Sequence, residues 1–143
     1  MTDPAGLARR VAESMQAASP VLRQWGIELV DVAPGAARLA MTVRDDMNNG
    51  QGVCHGGILF TLADSAFGFA CNTYNEKALA VACDIRYLRP AEVGDRLIAE
   101  AGEIWRQRRT GLYGVTVSVE GGEQVALFRG EARVVGGQHV EVA

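Results

Sequence analysis

The sequence predicts an α+β fold in which an antiparallel sheet of about six strands wraps around one long buried helix. Residues 56–71 are apolar on nearly every side of a helical wheel, which is typical of a buried helix. Several short segments alternate apolar and polar side chains at the period of a strand, without the regular strand–helix alternation of a parallel sheet. The 143 residues, 48% of them hydrophobic, are enough for one core, so we expect a single domain over 1–143.

The segment that precedes the buried helix predicts one helix and two strands. Residues 4–18 carry apolar side chains at helical spacing on one side and charged ones on the other. We therefore expect the N-terminal segment 1–19 to contain a short amphipathic helix that ends before Ser19-Pro20. Residues 27–32 and 37–43 predict two strands, joined by a Pro-Gly turn.

Four further strands are predicted after the buried helix. Bulky side chains occupy the odd positions of 78–88, a Gly-Asp turn precedes 96–107, and valines alternate with small or polar residues in 112–120. The Gly121-Gly122 pair then predicts a hairpin to a last strand over 124–135. Connections of this short kind favour an antiparallel sheet.

Charge and composition exclude several classes of function. A net charge of −3 argues against a nucleic-acid partner, because nucleic-acid binders usually carry a basic excess. No apolar run of membrane-spanning length and no signal-peptide core occur, and three cysteines without CxxC spacing suit a reducing compartment. We therefore expect a cytoplasmic protein with no membrane partner. With only two histidines, no clustered ligand set is visible, so neither a metal nor a cofactor is expected.

Asp64 lies in the middle of the apolar helical segment. A carboxylate costs several kcal/mol there unless it is paired, and no Lys or Arg lies within one helical turn of it. One interpretation is a structural aspartate that bonds to a backbone group or to Ser65. The other is a functional carboxylate that acts as a base or a nucleophile.

A glycine-rich loop leads through Cys54 and His55 into Gly56-Gly57 at the start of this helix. Helix N-termini present unsatisfied N–H groups and a positive dipole end, and glycines let a ligand approach closely. The pattern predicts an oxyanion site that polarises a carbonyl group. The alternative is that both glycines serve only tight packing against the sheet. Cys54 and His55 are sequence neighbours whose side chains tend to point apart, so a Cys–His catalytic pair is disfavoured.

The spacing of these two features predicts a dimer. Gly56 and Asp64 are eight residues apart, which is about 12 Å along a helix. One carbonyl group must lie about 3 Å from both its oxyanion donor and its attacking group. A single helix cannot easily supply both, so two chains related by a twofold axis would each contribute one group.

The motif around these residues resembles the hotdog-fold acyl-CoA thioesterases, and within them the PaaI-type enzymes of the phenylacetate degradation pathway. The resemblance covers roughly 20–137. It rests on Asn49-Gly50, the run HGGILFTLADSAF from His55 to Phe67, Ala70-Cys71-Asn72, Leu88-Arg89-Pro90-Ala91 with Gly94-Asp95, Thr110-Gly111, and Val125 to Gly130.

The resemblance implies a set of roles. Asp64 would act as base or nucleophile, the Gly56 N–H would donate to the thioester oxygen, and Asn49 would orient the water or the carbonyl group. His55 would either act directly or tie down the loop by hydrogen bonds. Some relatives carry a serine on the strand after the helix, at the position of Ala80, so serine-assisted positioning of water is in doubt here.

Two groups of residues are expected to bind substrate. Relatives use the turn near 106–110 to bind the nucleotide of coenzyme A, and Arg side chains suit its phosphates. Without the resemblance, the same cluster would be interpreted as the solvated end of a hairpin. Tyr87 would line the acyl pocket, with a core or interface role as the alternative. The full set of expected binding residues is Gly57, Tyr87, Arg89, Arg106, Arg108, Arg109 and Thr110.

Together these features predict a homo-oligomeric acyl-CoA thioesterase, a dimer with composite sites that the resemblance extends to a tetramer. Its substrates would be aryl-acetyl-CoA or similar acyl-CoA thioesters of medium bulk. Two alternatives remain at this stage. One is a hotdog hydratase or dehydratase that acts on the acyl chain, and the other is a non-catalytic acyl-CoA-binding module.

Overall fold

The computed structural model describes residues 3–142. Met1, Thr2 and Ala143, which belong to the single domain predicted over 1–143, lie outside the described residues. In chain order the elements are α1 (Pro4–Ala18), α2 (Pro20–Trp25), β1 (Glu28–Ala33), β2 (Ala36–Thr42), a 3-10 turn (Asp45–Met47), α3 (Gly56–Asn72), β3 (Ala78–Tyr87), β4 (Arg96–Gln107), β5 (Thr110–Val119) and β6 (Gln124–Val134).

The six strands form one antiparallel sheet in the order β1-β2-β4-β5-β6-β3, which confirms the predicted α+β fold class. Helix α2 is an element that the sequence pattern did not predict. Pro20 was interpreted as a helix stop, whereas it begins α2 at the first helical position, where proline is favoured. Gly26 then ends α2 in the left-handed region at φ 64°. None of the helices within residues 3–142 is long and apolar enough to span a membrane.

Helix α3 packs against one face of the sheet and forms the centre of the core, as its all-round apolarity predicted. It contacts β2, β4 and β5, and Leu62 and Ala66 are fully buried. The Phe67 ring lies so close to β6 that a Cβ atom on Gly130 would approach it to 2.8 Å. A glycine at this position therefore lets the helix settle onto the sheet.

Strand β3 forms one edge of the sheet and pairs with β6 alone among the described residues. Its register shifts between Ala80 and Ala82, which marks a bulge at Val81. Leu79 and Val81 are 64% and 51% exposed on this strand. Unpaired strand edges with exposed apolar side chains are typical sites of strand pairing with another chain.

Candidate active site

His55 caps the N-terminus of α3 with its side chain. Its Nδ1 atom accepts a hydrogen bond of 2.9 Å from the Gly57 N–H, and its carbonyl oxygen accepts from the Ile58 and Leu59 N–H groups at 2.9 and 3.2 Å. The sequence left open whether His55 is structural or acts directly. The structure shows the structural bond, in which Nδ1 is the acceptor.

These bonds leave one amide of the first turn of α3 without a partner. The Gly57, Ile58 and Leu59 N–H groups all donate to His55, whereas the Gly56 N–H has no acceptor within residues 3–142. An N–H at the positive end of a 17-residue helix is suited to donate a hydrogen bond to the oxygen of a polarised carbonyl group. Gly56, the residue whose N–H is left without an acceptor, is the residue that the sequence predicted as oxyanion donor.

Tyr87, the last residue of β3, lies against this helix terminus. Its hydroxyl donates to the Gly56 carbonyl oxygen at 2.9 Å, and a Cβ atom on Gly56 would lie 3.2 Å from its Cζ and Oη atoms. The ring borders an open cleft of about 370 Å³. The cleft is lined by Cys54, Gly56, Leu59, Tyr87, Leu88, Arg89 and Pro90.

Arg89 lies two residues beyond Tyr87, the last residue of β3, and so follows the strand. It forms an ion pair with Glu123 at the turn before β6. Its backbone N–H bonds to the Val125 carbonyl oxygen at 3.4 Å. Arg89 therefore borders the cleft with its guanidinium group already engaged, although half of the side chain, 52%, is exposed.

Asp64 is half-buried in the middle of α3, two turns beyond Gly56. Burial raises the pKa of its carboxyl group, and no hydrogen bond or cation among residues 3–142 opposes this shift. The Ser65 hydroxyl donates instead to the Thr61 carbonyl oxygen at 2.7 Å, so a structural Ser65–Asp64 bond is not formed. Burial and, to a smaller extent, the Asp64 carboxylate raise the pKa of the Cys83 thiol on β3.

Cys54 is not an activated nucleophile. Its thiol is buried, and burial raises its pKa to about 11. The Sγ atom contacts the His55 carbonyl oxygen at 3.6 Å, while the imidazole is bonded to Gly57. The arrangement agrees with the expectation that these sequence neighbours do not form a Cys–His pair.

Asn49 lies at the exposed tip of the loop before α3. Its N–H donates to the Val53 carbonyl oxygen at 2.9 Å, and its side-chain oxygen accepts from the Gln51 N–H at 2.8 Å. The side chain thus shapes the loop in this chain. The loop returns to the helix through a bond of 2.7 Å from the His55 N–H to the Met47 carbonyl oxygen.

The basic residues lie at the other end of α3. Arg108 and Arg109 form the turn between β4 and β5, and Arg108 adopts φ 56°. The Arg109 Nε atom donates to the Val134 carbonyl oxygen at 3.3 Å. A small recess lined by Arg106, Arg109 and Thr110 reaches Cys71, which is 15 residues and hence about 22 Å along α3 from Gly56.

Arg106 is more constrained than the sequence suggested. Its guanidinium group forms an ion pair of 2.7 Å with Glu76 and lies 4.1 Å from the centroid of the Tyr74 ring. It therefore borders the basic turn with its charge partly satisfied, whereas Arg108 and Arg109 make no ion pair within residues 3–142.

Within one chain, the structure places Asn49 at the exposed tip of the loop before α3 and divides the other predicted site residues into three places. His55, Gly56, Gly57, Tyr87 and Arg89 meet at the N-terminus of α3; Asp64 lies in the middle of the helix; the basic turn lies near its C-terminus. No group of three or more metal-ligating side chains occurs among residues 3–142. The predicted site did not include the cleft residues Leu59, Leu88 and Pro90, which belong to the quoted motif but have no polar group that would mark them as site residues.

A model of the thioesterase superfamily matches residues 51–126, a range that contains α3 and the cleft. The chain therefore belongs to the thioesterase superfamily, in agreement with the resemblance that its motif showed.

Among individual proteins, the chain is similar to the acyl-coenzyme A thioesterase PaaI of Escherichia coli (strain K12). The two are 40% identical over 126 residues, which are 88% of this chain and 90% of PaaI. The solved structure of the E. coli PaaI protein, from the phenylacetic acid degradation operon, superposes with a TM-score of 0.93 at 38% identity and covers 95% of this chain and 99% of its own. A Streptococcus mutans protein bound to acetyl-CoA superposes with a TM-score of 0.75 at 27% identity, covering 78% and 90%.

Proposed function

We propose that the protein is an acyl-CoA thioesterase that hydrolyses aryl-acetyl-CoA, of the phenylacetyl or hydroxyphenylacetyl type, or similar thioesters of medium bulk. The observation that carries the proposal is the unpartnered Gly56 N–H at the start of α3, beside an apolar cleft. The similarity to PaaI supports coenzyme A thioesters as the substrate class.

In this reaction the Gly56 N–H binds the thioester oxygen and stabilises the negative charge that develops there. Asp64 either takes a proton from the water that attacks the carbonyl carbon, or attacks this carbon itself to form a mixed anhydride that water then hydrolyses. In both routes the C–S bond breaks and coenzyme A leaves as its thiol. The absence of a cation beside Asp64 within residues 3–142 leaves the carboxylate free to act in either way.

The site is composite, with Gly56 from one subunit and Asp64 from its partner. Two features support this arrangement. The two residues are about 12 Å apart on one helix, too far to serve one carbonyl group. The edge of β3 that pairs with no described strand also exposes Leu79 and Val81, which provides the surface for a twofold-related chain. The resulting homodimer is the smallest active unit, and two dimers would form the tetramer.

The same division between subunits accounts for the basic turn. The basic turn of Arg108, Arg109 and Thr110 lies near the C-terminus of α3, far from the Gly56 of the same chain and on the Asp64 side. These residues would therefore serve the site to which their own chain contributes Asp64. In that site they bind the phosphates of coenzyme A. Arg106 supports the turn through its ion pair with Glu76. Gly56 and Tyr87 border the acyl end at the cleft, Gly57 follows Gly56 in the first turn of α3, and Asn49 lies in the loop before α3.

The proposal is tested by thiol release from a panel of acyl-CoA esters that includes phenylacetyl-CoA and hydroxylated variants. We expect turnover of the aryl-acetyl esters by the wild type. The Asp64→Asn variant should lose turnover while it keeps its fold and its affinity for coenzyme A, measured by circular dichroism and calorimetry. No release from any ester, or wild-type turnover by the variant, would overturn the assignment. A single turnover in ¹⁸O-water then distinguishes the routes, because label in the Asp64 carboxyl group requires the anhydride.

A further inference from the structure

We propose that Tyr87 is a positioning residue for the oxyanion donor, a role that rests on the proposed function. The Tyr87 hydroxyl donates to the Gly56 carbonyl oxygen at 2.9 Å, and the Gly57 N–H donates to the His55 Nδ1 atom at 2.9 Å. This carbonyl and this N–H belong to the single peptide unit that joins Gly56 to Gly57. Two side chains therefore hold one peptide plane from its two sides.

This peptide plane shares the Gly56 Cα atom with the plane that carries the free Gly56 N–H. Two consecutive glycines have the greatest backbone freedom and a low preference for helix, so the first turn of α3 needs restraint from outside. The carbonyl group of the preceding plane is held by the Ile58 and Leu59 N–H groups. With both planes fixed, the direction of the Gly56 N–H is set before any substrate binds, which is the preorganisation that oxyanion stabilisation requires.

The two glycines fit the two restraining side chains. A Cβ atom on Gly56 would lie 3.2 Å from the Cζ and Oη atoms of Tyr87, and a Cβ atom on Gly57 would lie 3.1 Å from the Nδ1 atom of His55. Each missing side chain thus makes room for one of the two contacts. The glycine pair serves this close approach in addition to the approach of a ligand.

The sheet anchors Tyr87 on its other side. Tyr87 pairs with Ala126 of β6, and the next residue, Leu88, donates its N–H to the Val125 carbonyl oxygen at 2.9 Å. The hydroxyl bond therefore ties the start of α3 to the end of the edge strand β3. The role assigned to Tyr87 differs from that of an acyl-pocket residue, because it acts through Gly56 and does not require contact with the substrate.

The test is the Tyr87→Phe variant, which removes the hydroxyl and keeps the ring. Tyr74→Phe is the matched control, because the Tyr74 hydroxyl also makes a hydrogen bond of 2.9 Å, to Glu103 at the other end of α3, and the ring stays beneath Arg106. We expect kcat for thioester hydrolysis to fall roughly two- to tenfold in Tyr87→Phe, the range that corresponds to one neutral hydrogen bond. KM should stay within about twofold, and Tyr74→Phe should match the wild type. Hydrogen exchange of the Gly57 amide, followed by NMR, should be faster in Tyr87→Phe alone.

The remaining outcomes overturn the proposal in distinguishable ways. An unchanged kcat in Tyr87→Phe, with or without faster exchange at Gly57, shows that the hydroxyl does not position the donor. A raised KM at unchanged kcat makes Tyr87 a substrate-binding residue instead. Both results leave the thioesterase function intact, whereas a wild type that releases no thiol from any ester refutes the proposed function and the role of Tyr87 with it.

Discussion

Replacing Gly56 with proline would remove the proposed oxyanion donor without disturbing the helix that presents it. Gly56 is the first residue of α3, where proline is well tolerated, and its N–H makes no hydrogen bond within residues 3–142. His55 adopts φ −59° and ψ 135°, an extended conformation that suits the residue before a proline. The substitution therefore deletes one N–H group that has no hydrogen-bond partner within residues 3–142.

The expected magnitudes differ sharply for activity and for stability. Loss of one oxyanion donor lowers kcat about 10²- to 10³-fold, which corresponds to about 2.7–4 kcal/mol in the activation barrier. For stability, the smaller conformational entropy of the unfolded chain favours the variant by about 0.4–1 kcal/mol. The new side chain opposes this gain, because its Cβ atom would lie 3.2 Å from Tyr87. The net change in the free energy of unfolding should be small.

The assay is kcat for thiol release together with the Tm of each variant. Gly56→Ala is the matched control, since it introduces the same Cβ contact with Tyr87 and retains the N–H. We expect Gly56→Pro to lose activity far beyond any loss in Gly56→Ala, at similar Tm. If Gly56→Pro folds and keeps the turnover of Gly56→Ala, the Gly56 N–H is not the oxyanion donor, and the reasoning from the unpartnered amide is refuted.

Three further predictions follow from the site. Mixing inactive Asp64→Asn and Gly56→Pro subunits in equal amounts should restore about a quarter of wild-type thiol release. Half of the dimers are then mixed, and each mixed dimer holds one intact composite site out of two. No recovery in verified mixed dimers would contradict the twofold arrangement. His55→Asn should retain most of the activity that His55→Ala loses, because Asn also caps helices. The alanine variant should in addition be about 0.5–2 kcal/mol less stable in urea unfolding. Equal inactivity of both variants would indicate a direct role for the imidazole. Burial raises the folded-state pKa of Asp64, so the stability contributed by its protonated form is present at acidic pH and is lost as the pH rises through that pKa. Asp64→Asn should therefore raise Tm at neutral pH and lose this gain in acid, as followed by calorimetry, and a lowered Tm at neutral pH would count against the desolvated carboxylate.

Local pattern was sufficient for most of the fold. The apolar run that became α3 and the alternating segments that became the six strands are properties of neighbouring residues, so their periodicity could be read along the chain. The position of Asp64 in an apolar helix and of Gly56-Gly57 at its start likewise depends on sequence spacing alone. Helix α2 was missed because Pro20 both ends one helical pattern and begins another, and only the packed chain shows which.

The contacts that complete the candidate site could not be read in this way. Tyr87 contacts the Gly56 carbonyl group although the two residues are 31 positions apart in the sequence. The contact exists because β3 pairs with β6 at the edge of the sheet, which brings the end of β3 beside the start of α3. That the Gly56 N–H finds no acceptor within residues 3–142 likewise emerges only when the acceptors of the neighbouring N–H groups are known. The sequence by itself determined the elements, the helix carboxylate and the glycine pair, since periodicity and spacing are local. The tertiary structure decided which groups meet and which stay free, because those depend on distances between residues that are remote along the chain.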